Sequence, residues 1–312
     1  MIDADRATQH RFSQDHIDTW RREGAVLISR FFTAAEVAAV QADFEQVFGH
    51  GHGGTLASIP TKVGERALDP AQQACFGPIP FDCSPALNLV AVHPQLIELA
   101  RRALGTRDVL LYQCVVWAKF TGQANYEQPF HCDYMTHTLT APATPERLDA
   151  VTFACYFSDV SEHHGPMHYV QRTDARAVAP THASLRLGAS LDDKLAPFER
   201  STASPAGSAF LYAMDVYHRA TDLRAPDGHR YAVFASYKAA SNHAVAYHAW
   251  PLYDIRPWHR IFDHATPDQL ACFGVPRPGD PFWSETTISQ TETRYPSWNA
   301  KPYRDSVTDT SS

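Results

Sequence analysis

A mainly β chain with flanking helices is what the sequence predicts, and two observations predict it. From Arg107 onward, Val109 to Phe120, Ala150 to Phe157, Ser208 to Met214 and Arg230 to Tyr237 are β-branched and aromatic runs bounded by turn signals. Before Arg107 the strong signals are helix caps and apolar residues three and four apart. The chain has 312 residues, 44% hydrophobic, with no internal repeat and no composition break that would mark a linker. A single domain over 1–312 is expected, with 1–107 as helical support, 108–240 as the β core and 241–312 as an aromatic-rich extension.

Ser13 N-caps a short amphipathic helix that runs through Trp20 and closes at Gly24. Ala25 to Ile28 follow as a short buried strand. Thr33-Ala34-Ala35-Glu36 is a capping box whose helix carries Val37, Val40, Phe44 and Val47 on one face and stops at Gly49. Gly49 to Gly54, with His50 and His52, reads as a flexible loop rather than a metal tract. Pro94 opens another helix, through Leu96, Leu99, Ala100 and Ala103 to Gly105. Thr173 to Ala206 is long and mixed, and it suits either a short helix or a flap. The tail beyond Asn242 is rich in Trp, Tyr, His and Pro, and its polar end from Asp305 to Ser312 should fray. Thr173 to Ala206 and Trp250 to Trp258 are the segments expected to cover a site, against the alternative of plain surface loop.

Charge and cysteine usage exclude several functions. A net charge of −7 without a basic cluster argues against nucleic acid and against an anionic membrane surface. There is no run of 18 apolar residues, and Met1 to Arg6 lack the core of a signal peptide, so a cytoplasmic location is expected. Cys75, Cys83, Cys114, Cys132, Cys155 and Cys272 show no Cys-x-x-Cys spacing, and they read as reduced packing residues.

Chemistry enters at Phe130-His131-Cys132-Asp133-Tyr134. In extended backbone alternate side chains share a face, so His131 and Asp133 can converge on one ion while Cys132 points away. His218 follows a strand run and supplies a second imidazole. Two His and one carboxylate hold Fe(II) by one face and leave positions open. Roughly one His-x-Asp is expected by chance in a chain with 17 histidines, and His16-Ile17-Asp18 is such a decoy. It lies in the first helix, where residues two apart diverge by about 200°. Arg230 opens the strand after His218, and its guanidinium fork suits a carboxylate co-substrate. Ligands at strand ends with the Arg on the next strand point to a double-stranded β-helix, the jelly-roll or cupin-like architecture.

With these residues in view, the chain resembles the phytanoyl-CoA dioxygenase-like branch of the Fe(II)/2-oxoglutarate oxygenases. The likeness runs from Trp20-Arg21-Arg22-Glu23-Gly24-Ala25-Val26-Leu27 through the His131 motif to Tyr217-His218-Arg219, and includes Phe157-Ser158-Asp159-Val160 with Gly165-Pro166-Met167. The tail Tyr295-Pro296 and Lys301-Pro302-Tyr303-Arg304 is similar to endings of bacterial members. The resemblance implies Fe(II), 2-oxoglutarate and O2 as cofactor and co-substrates, with 2-oxoglutarate converted to succinate and CO2 while a C–H bond of a small-molecule substrate is hydroxylated or desaturated. It implies Lys119 as a second carboxylate contact beside Arg230, and Gln113 joins them as a candidate contact on the same strand. Tyr134, Trp117 and Trp250 are candidate pocket aromatics. Two departures stand out: Gln171-Arg172-Thr173-Asp174 replaces the family's Pro-Gly-Ser-His turn, and Ala232 occupies a position that often carries Ser or Thr. A cupin-like isomerase and a non-catalytic binding protein on the same fold are the alternatives.

Overall fold

The structure is a computed structural model that describes residues 10–49, 62–63, 66–67, 75–122, 127–133, 137–138, 150–179, 189–245 and 256–309. Local chemistry sets its first helices. α1 (Gln14–Glu23) starts at Ser13, whose hydroxyl accepts the His16 N–H, and ends at Gly24 with φ 77°. A Cβ at Gly24 would lie 2.6 Å from Val216 and 3.2 Å from the Arg172 guanidinium, so backbone and neighbours both require glycine. The decoy pair His16 and Asp18 lies on this helix, with Ile17 buried between them. α2 (Ala34–Phe48) carries the full capping box of Thr33 and Glu36 and buries Val37, Val40 and Phe44. α3 (Pro85–Val90) and α4 (Pro94–Leu104) each begin with proline, where a missing N–H costs nothing.

Further along the chain, the segment that suited either a short helix or a flap holds α5 (Arg172–Val178), α6 (Ala189–Leu195) and a 3-10 turn over Ala196–Phe198; residues 180–188 lie outside the described residues. The tail holds α7 (His259–Phe262), α8 (Pro267–Cys272), α9 (Glu285–Arg294) and α10 (Lys301–Asp309), so the end expected to fray is helical through Asp309. Its aromatics pack on one another. Phe262 stacks on Tyr295 with centroids 3.8 Å apart, and Tyr303 meets Trp283 and Trp298 at 4.7 Å each. Trp258 packs against Phe273, and residues 250–255, Trp250 among them, lie outside the described residues.

The strands are β1 (Ala25–Ile28), the β2 (Lys62–Val63) and β3 (Arg66–Ala67) hairpin, β4 (Phe76–Pro78), β5 (Val109–Phe120), β6 (Ala150–Tyr156), β7 (Met167–Tyr169), β8 (Arg200–Ser201), β9 (Ala209–Ala213), β10 (His218–Ala220) and β11 (His229–Ala239). Six of them form an antiparallel sheet in the order β1-β9-β6-β11-β5-β4, and a smaller sheet runs β10-β7-β8. The N-terminal part is therefore more than helical support, because β1 and β4 are the two edges of the large sheet. β7, β8 and β10 escape the sequence, since two or three residues show no period of two.

Alternation divides the large sheet into two faces. Cys114, Val116 and Ala118 of β5, with Val233 and Ala235 of β11 and Phe153 and Cys155 of β6, are buried in the main core. α4 lies against β5, β6 and β11 on this side, and α8 lies against β5. The opposite face carries Gln113, Val115, Trp117 and Lys119, and there the sheet lines a cavity. All six cysteines are free and buried.

One buried ion pair ties the helices to the segment that carries His218. Arg172 donates from Nε and Nη2 to the two Asp215 oxygens, each at 2.7 Å, and from Nη1 to the Arg21 carbonyl at 2.8 Å. The residues that replace the family's Pro-Gly-Ser-His turn thus open α5 and brace the approach to His218. Asp215→Ala would strand a buried guanidinium, and a loss of about 3–5 kcal/mol is expected in urea unfolding. Asp215→Asn, which keeps an acceptor in place, is expected to lose less.

Candidate metal and co-substrate site

His131 and His218 face each other across an isolated antiparallel bridge. Each backbone N–H donates to the other's carbonyl at 3.0 Å, and the two rings lie 4.4 Å apart. His218 is therefore the first residue of β10, not the trailing end of β9. Asp133, two residues after His131 in extended chain, returns to the same side. One ligand atom from each of the three lies within 4.8 Å of the others, the one such cluster among the described residues. Carbonyls fix both imidazoles: His131 Nδ1 donates to Pro129 O at 3.1 Å and His218 Nδ1 to Val216 O at 3.0 Å. A carbonyl only accepts, so Nδ1 bears the proton in each ring and the lone pair is on Nε2.

Asp133 is held from several sides. Its Oδ1 lies 3.4 Å from His218 Nε2, and the buried Tyr212 hydroxyl is near enough that burial and then the Asp133 charge push its pKa well up. Burial works against its charge, yet His218 and His137 outweigh burial and hold the carboxyl well below the usual range. The opposite pull acts on His218: burial opposes its proton, and Asp133 raises its pKa. Cys132 points the other way, as alternation requires, and is buried with its thiol 3.4 Å from the Asp215 carbonyl.

These groups open on a cavity of about 150 Å³ whose lining also includes Gln113, Trp117, Thr152, Phe234 and Arg230. Arg230 is fully buried and spends one donor, Nη1, on the Gly165 carbonyl. Its Nε and Nη2 have no hydrogen-bond partner among the described residues. Gly165 is irreplaceable for the same contact, with φ 67° and a Cβ position 2.7 Å from the Thr221 carbonyl. Lys119 stands opposite Arg230 in register and is also buried; its ammonium donates to the Thr221 carbonyl at 3.1 Å. Burial first and Arg230 second push its pKa well down. The Trp117 ring lies beside both cations, 4.9 Å from the Lys119 ammonium and 5.3 Å from the Arg230 guanidinium. Of these two buried basic groups Arg230 lines the cavity, and Lys119 lies beside it in register. Arg219 and Arg224, the other arginines nearby in sequence, are engaged elsewhere, with Glu199 and with Glu127.

Of the sequence candidates, the structure brings His131, Asp133 and His218 together and sets Arg230, Trp117 and Gln113 on the same cavity, with Lys119 beside Arg230. Tyr134 and Trp250 lie outside the described residues. Sequence reasoning missed His137, Tyr212 and Tyr112. His137 follows Asp133 by one helical turn and is buried, with Nδ1 at 2.8 Å from the Tyr112 hydroxyl. Tyr112 reaches it because β5 carries an extra residue opposite Ser236 and Tyr237, a bulge that re-aims its side chain. Only the position of His137 one turn past the motif could have singled it out among 17 histidines.

The donor set, two imidazoles and one carboxylate with room beside them, fits a facially bound Fe(II), and the unpaired edge of Arg230 fits a carboxylate co-substrate. Comparison with known proteins agrees with this geometry. Similar solved structures include EctD from S. alaskensis (18% identity, 78% of this chain and 84% of that one, TM-score 0.58) and the non-heme α-ketoglutarate-dependent carbocyclase SnoK from nogalamycin biosynthesis (20%, 73% and 85%, 0.53). AviO1 from Streptomyces viridochromogenes is also similar (16%, 75% and 98%, 0.53). Further structures of EctD and of the epimerase SnoN hold iron and 2-oxoglutarate. No curated protein matches the chain. No described helix is long and apolar enough to cross a membrane. These similarities show a shared fold, an antiparallel jelly roll with flanking helices. The sequence model of phytanoyl-CoA dioxygenase (PhyH) matches residues 20–231, more than half of the molecule, and the chain belongs to that family.

Proposed function

We propose that this protein is an Fe(II)/2-oxoglutarate-dependent oxygenase that oxidises a C–H bond of a small molecule, with hydroxylation as the outcome, and that it works as a single domain. The observation that carries the proposal is the Arg230 edge: two buried donors without a partner, on the cavity that holds the His131, Asp133 and His218 cluster. A metal-only isomerase has no use for a buried, unpaired guanidinium, so the cupin-like alternative is disfavoured. Desaturation keeps the same residues. SnoN and SnoK, an epimerase and a carbocyclase, are α-ketoglutarate-dependent neighbours in which such a site serves other outcomes.

Bound iron would supply oxygen activation and hydrogen abstraction. The chain's own residues do the rest. His131 and His218 present Nε2, with tautomers set by the Pro129 and Val216 carbonyls; the proton that Asp133 favours on His218 leaves when a metal binds. Asp133 lies with its Oδ1 3.4 Å from His218 Nε2. Arg230 would take the distal carboxylate of 2-oxoglutarate on its Nε and Nη2 edge, Lys119 adds charge beside it, and Trp117 keeps water from both cations. Purified, iron-loaded protein should release succinate from 2-oxoglutarate slowly without substrate, and iron removal should stop it. Iron binding without any succinate release would favour the isomerase instead.

A further inference from the structure

Strand register sorts the cavity wall into ranks. Lys119 and Arg230 pair at one end of the β5 and β11 ladder, and Trp117 with Ala232 and Val115 with Phe234 follow as an apolar belt. Then comes a rank of neutral polar side chains that crosses four strands in register: Gln113, Ser236, Thr152 and Tyr212. Tyr212 at its far end lines the cavity together with Asp133. Six residues along β5 separate Lys119 from Gln113, roughly 20 Å at about 3.3 Å per residue. A five-carbon dicarboxylate held by Arg230 spans only part of that backbone distance along β5 and leaves Gln113 to another ligand.

The polar rank is directional. Ser236 Oγ donates to Gln113 Oε1 at 3.3 Å, so its single proton is spent, and the Thr152 hydroxyl at 3.0 Å must donate to Ser236. The Gln113 carbonyl oxygen is thereby engaged, while its amide nitrogen has no protein partner among the described residues and belongs to a cavity-lining side chain. We propose that Gln113 is a substrate-positioning residue rather than a co-substrate contact. On this view the substrate is a compact neutral molecule whose hydroxyl or carbonyl oxygen accepts a hydrogen bond from the Gln113 amide. Its apolar carbon body lies along Val115 and Phe234. A cavity of about 150 Å³ is too small for an acyl-CoA thioester or a long-chain fatty acid.

This inference rests on the oxygenase reading, and one set of measurements separates the two. Titration of anaerobic, iron-loaded protein with 2-oxoglutarate should give the same affinity for wild type and Gln113→Leu, to within about twofold, and a far weaker one for Arg230→Met. In air, neutral probes (myo-inositol, 2-pyrrolidinone, cyclohexanol) should raise succinate release above the substrate-free rate, while dodecanoate and decanoyl-CoA should not. Gln113→Leu should weaken the response to an active probe roughly tenfold in half-saturating concentration, and Gln113→Glu, an acceptor facing an acceptor, at least as much. Weakened 2-oxoglutarate binding in Gln113→Leu overturns the proposal. So does stimulation by the fatty acid or thioester, or by no neutral probe. If wild type neither binds 2-oxoglutarate nor releases succinate, the oxygenase reading itself fails.

Discussion

His131→Ala and Asp133→Ala are each expected to abolish stoichiometric Fe(II) binding. The wild-type chain should hold one ion in anaerobic equilibrium dialysis. The expectation follows from the scarcity of donors: the three residues are the one cluster of metal-type ligand atoms among the described residues. Losing one of three ligands leaves two, and with water in its place the affinity should drop by more than about 100-fold, beyond the 10–100-fold typical of changes to groups that merely support a ligand. The decoy provides the control. His16→Ala should bind iron as wild type does, because α1 turns His16 toward its own cap, where its Nδ1 accepts the Ser13 N–H at 2.9 Å. Full retention of iron in both His131→Ala and Asp133→Ala would reject the assignment. Folding is a separate question. Far-UV circular dichroism should be unchanged, since the bridge between positions 131 and 218 is made by backbone and survives truncation to alanine.

The contrast between His16 and His131 shows what a sequence can and cannot disclose. Helix ends were legible because their chemistry is local: Ser13, Thr33 and Glu36 bond to groups three residues away, and Gly24 and Gly105 adopt positive φ within their own turn. Long strands were legible because β5 and β11 carry β-branched and aromatic residues over twelve and eleven positions. The ligand types were legible because extended chain places His131 and Asp133 on one side. The small sheet was not, as strands of two or three residues carry no period. Nor were the groups that give the site its character, because each depends on a distant partner. Tyr212 reaches Asp133 through sheet register, Tyr112 is re-aimed by a bulge, and the role of Arg172 is decided by Asp215. The packing of the aromatic tail was not legible for a similar reason: Trp, Tyr and Phe suit a lid and a core equally, and beyond Trp258 only their mutual packing distinguishes the two.

Arg230→Met is expected to weaken 2-oxoglutarate binding severely without lowering the thermal stability of the ligand-free protein. Opposite behaviour in the two measurements is the signature of a residue kept for its ligand. Arg172 and Arg230 make the comparison within one molecule. Both guanidinium groups are buried, and on Arg172 the Nε and Nη2 edge is filled by the two oxygens of Asp215 at 2.7 Å. On Arg230 the same edge meets no carboxylate among the described residues, where the Gly165 carbonyl accepts from its Nη1. Burial depresses its pKa, no acid among the described residues offsets the cost, and the buried Lys119 lies alongside. A buried charge without a partner destabilises the folded state, so an apolar side chain of similar length should leave the melting temperature level or raise it. The co-substrate carboxylate would then lose both of its parallel hydrogen bonds. Truncating one member of a buried charged pair costs about 2–5 kcal/mol, roughly 30-fold to several thousand-fold in affinity. Arg230→Lys should fall between wild type and Arg230→Met, because an ammonium restores charge but not the two-pronged geometry. If Arg230→Met instead melts markedly earlier and binds 2-oxoglutarate normally, the guanidinium is a structural bolt on Gly165, and the anion site must be sought at Lys119 alone.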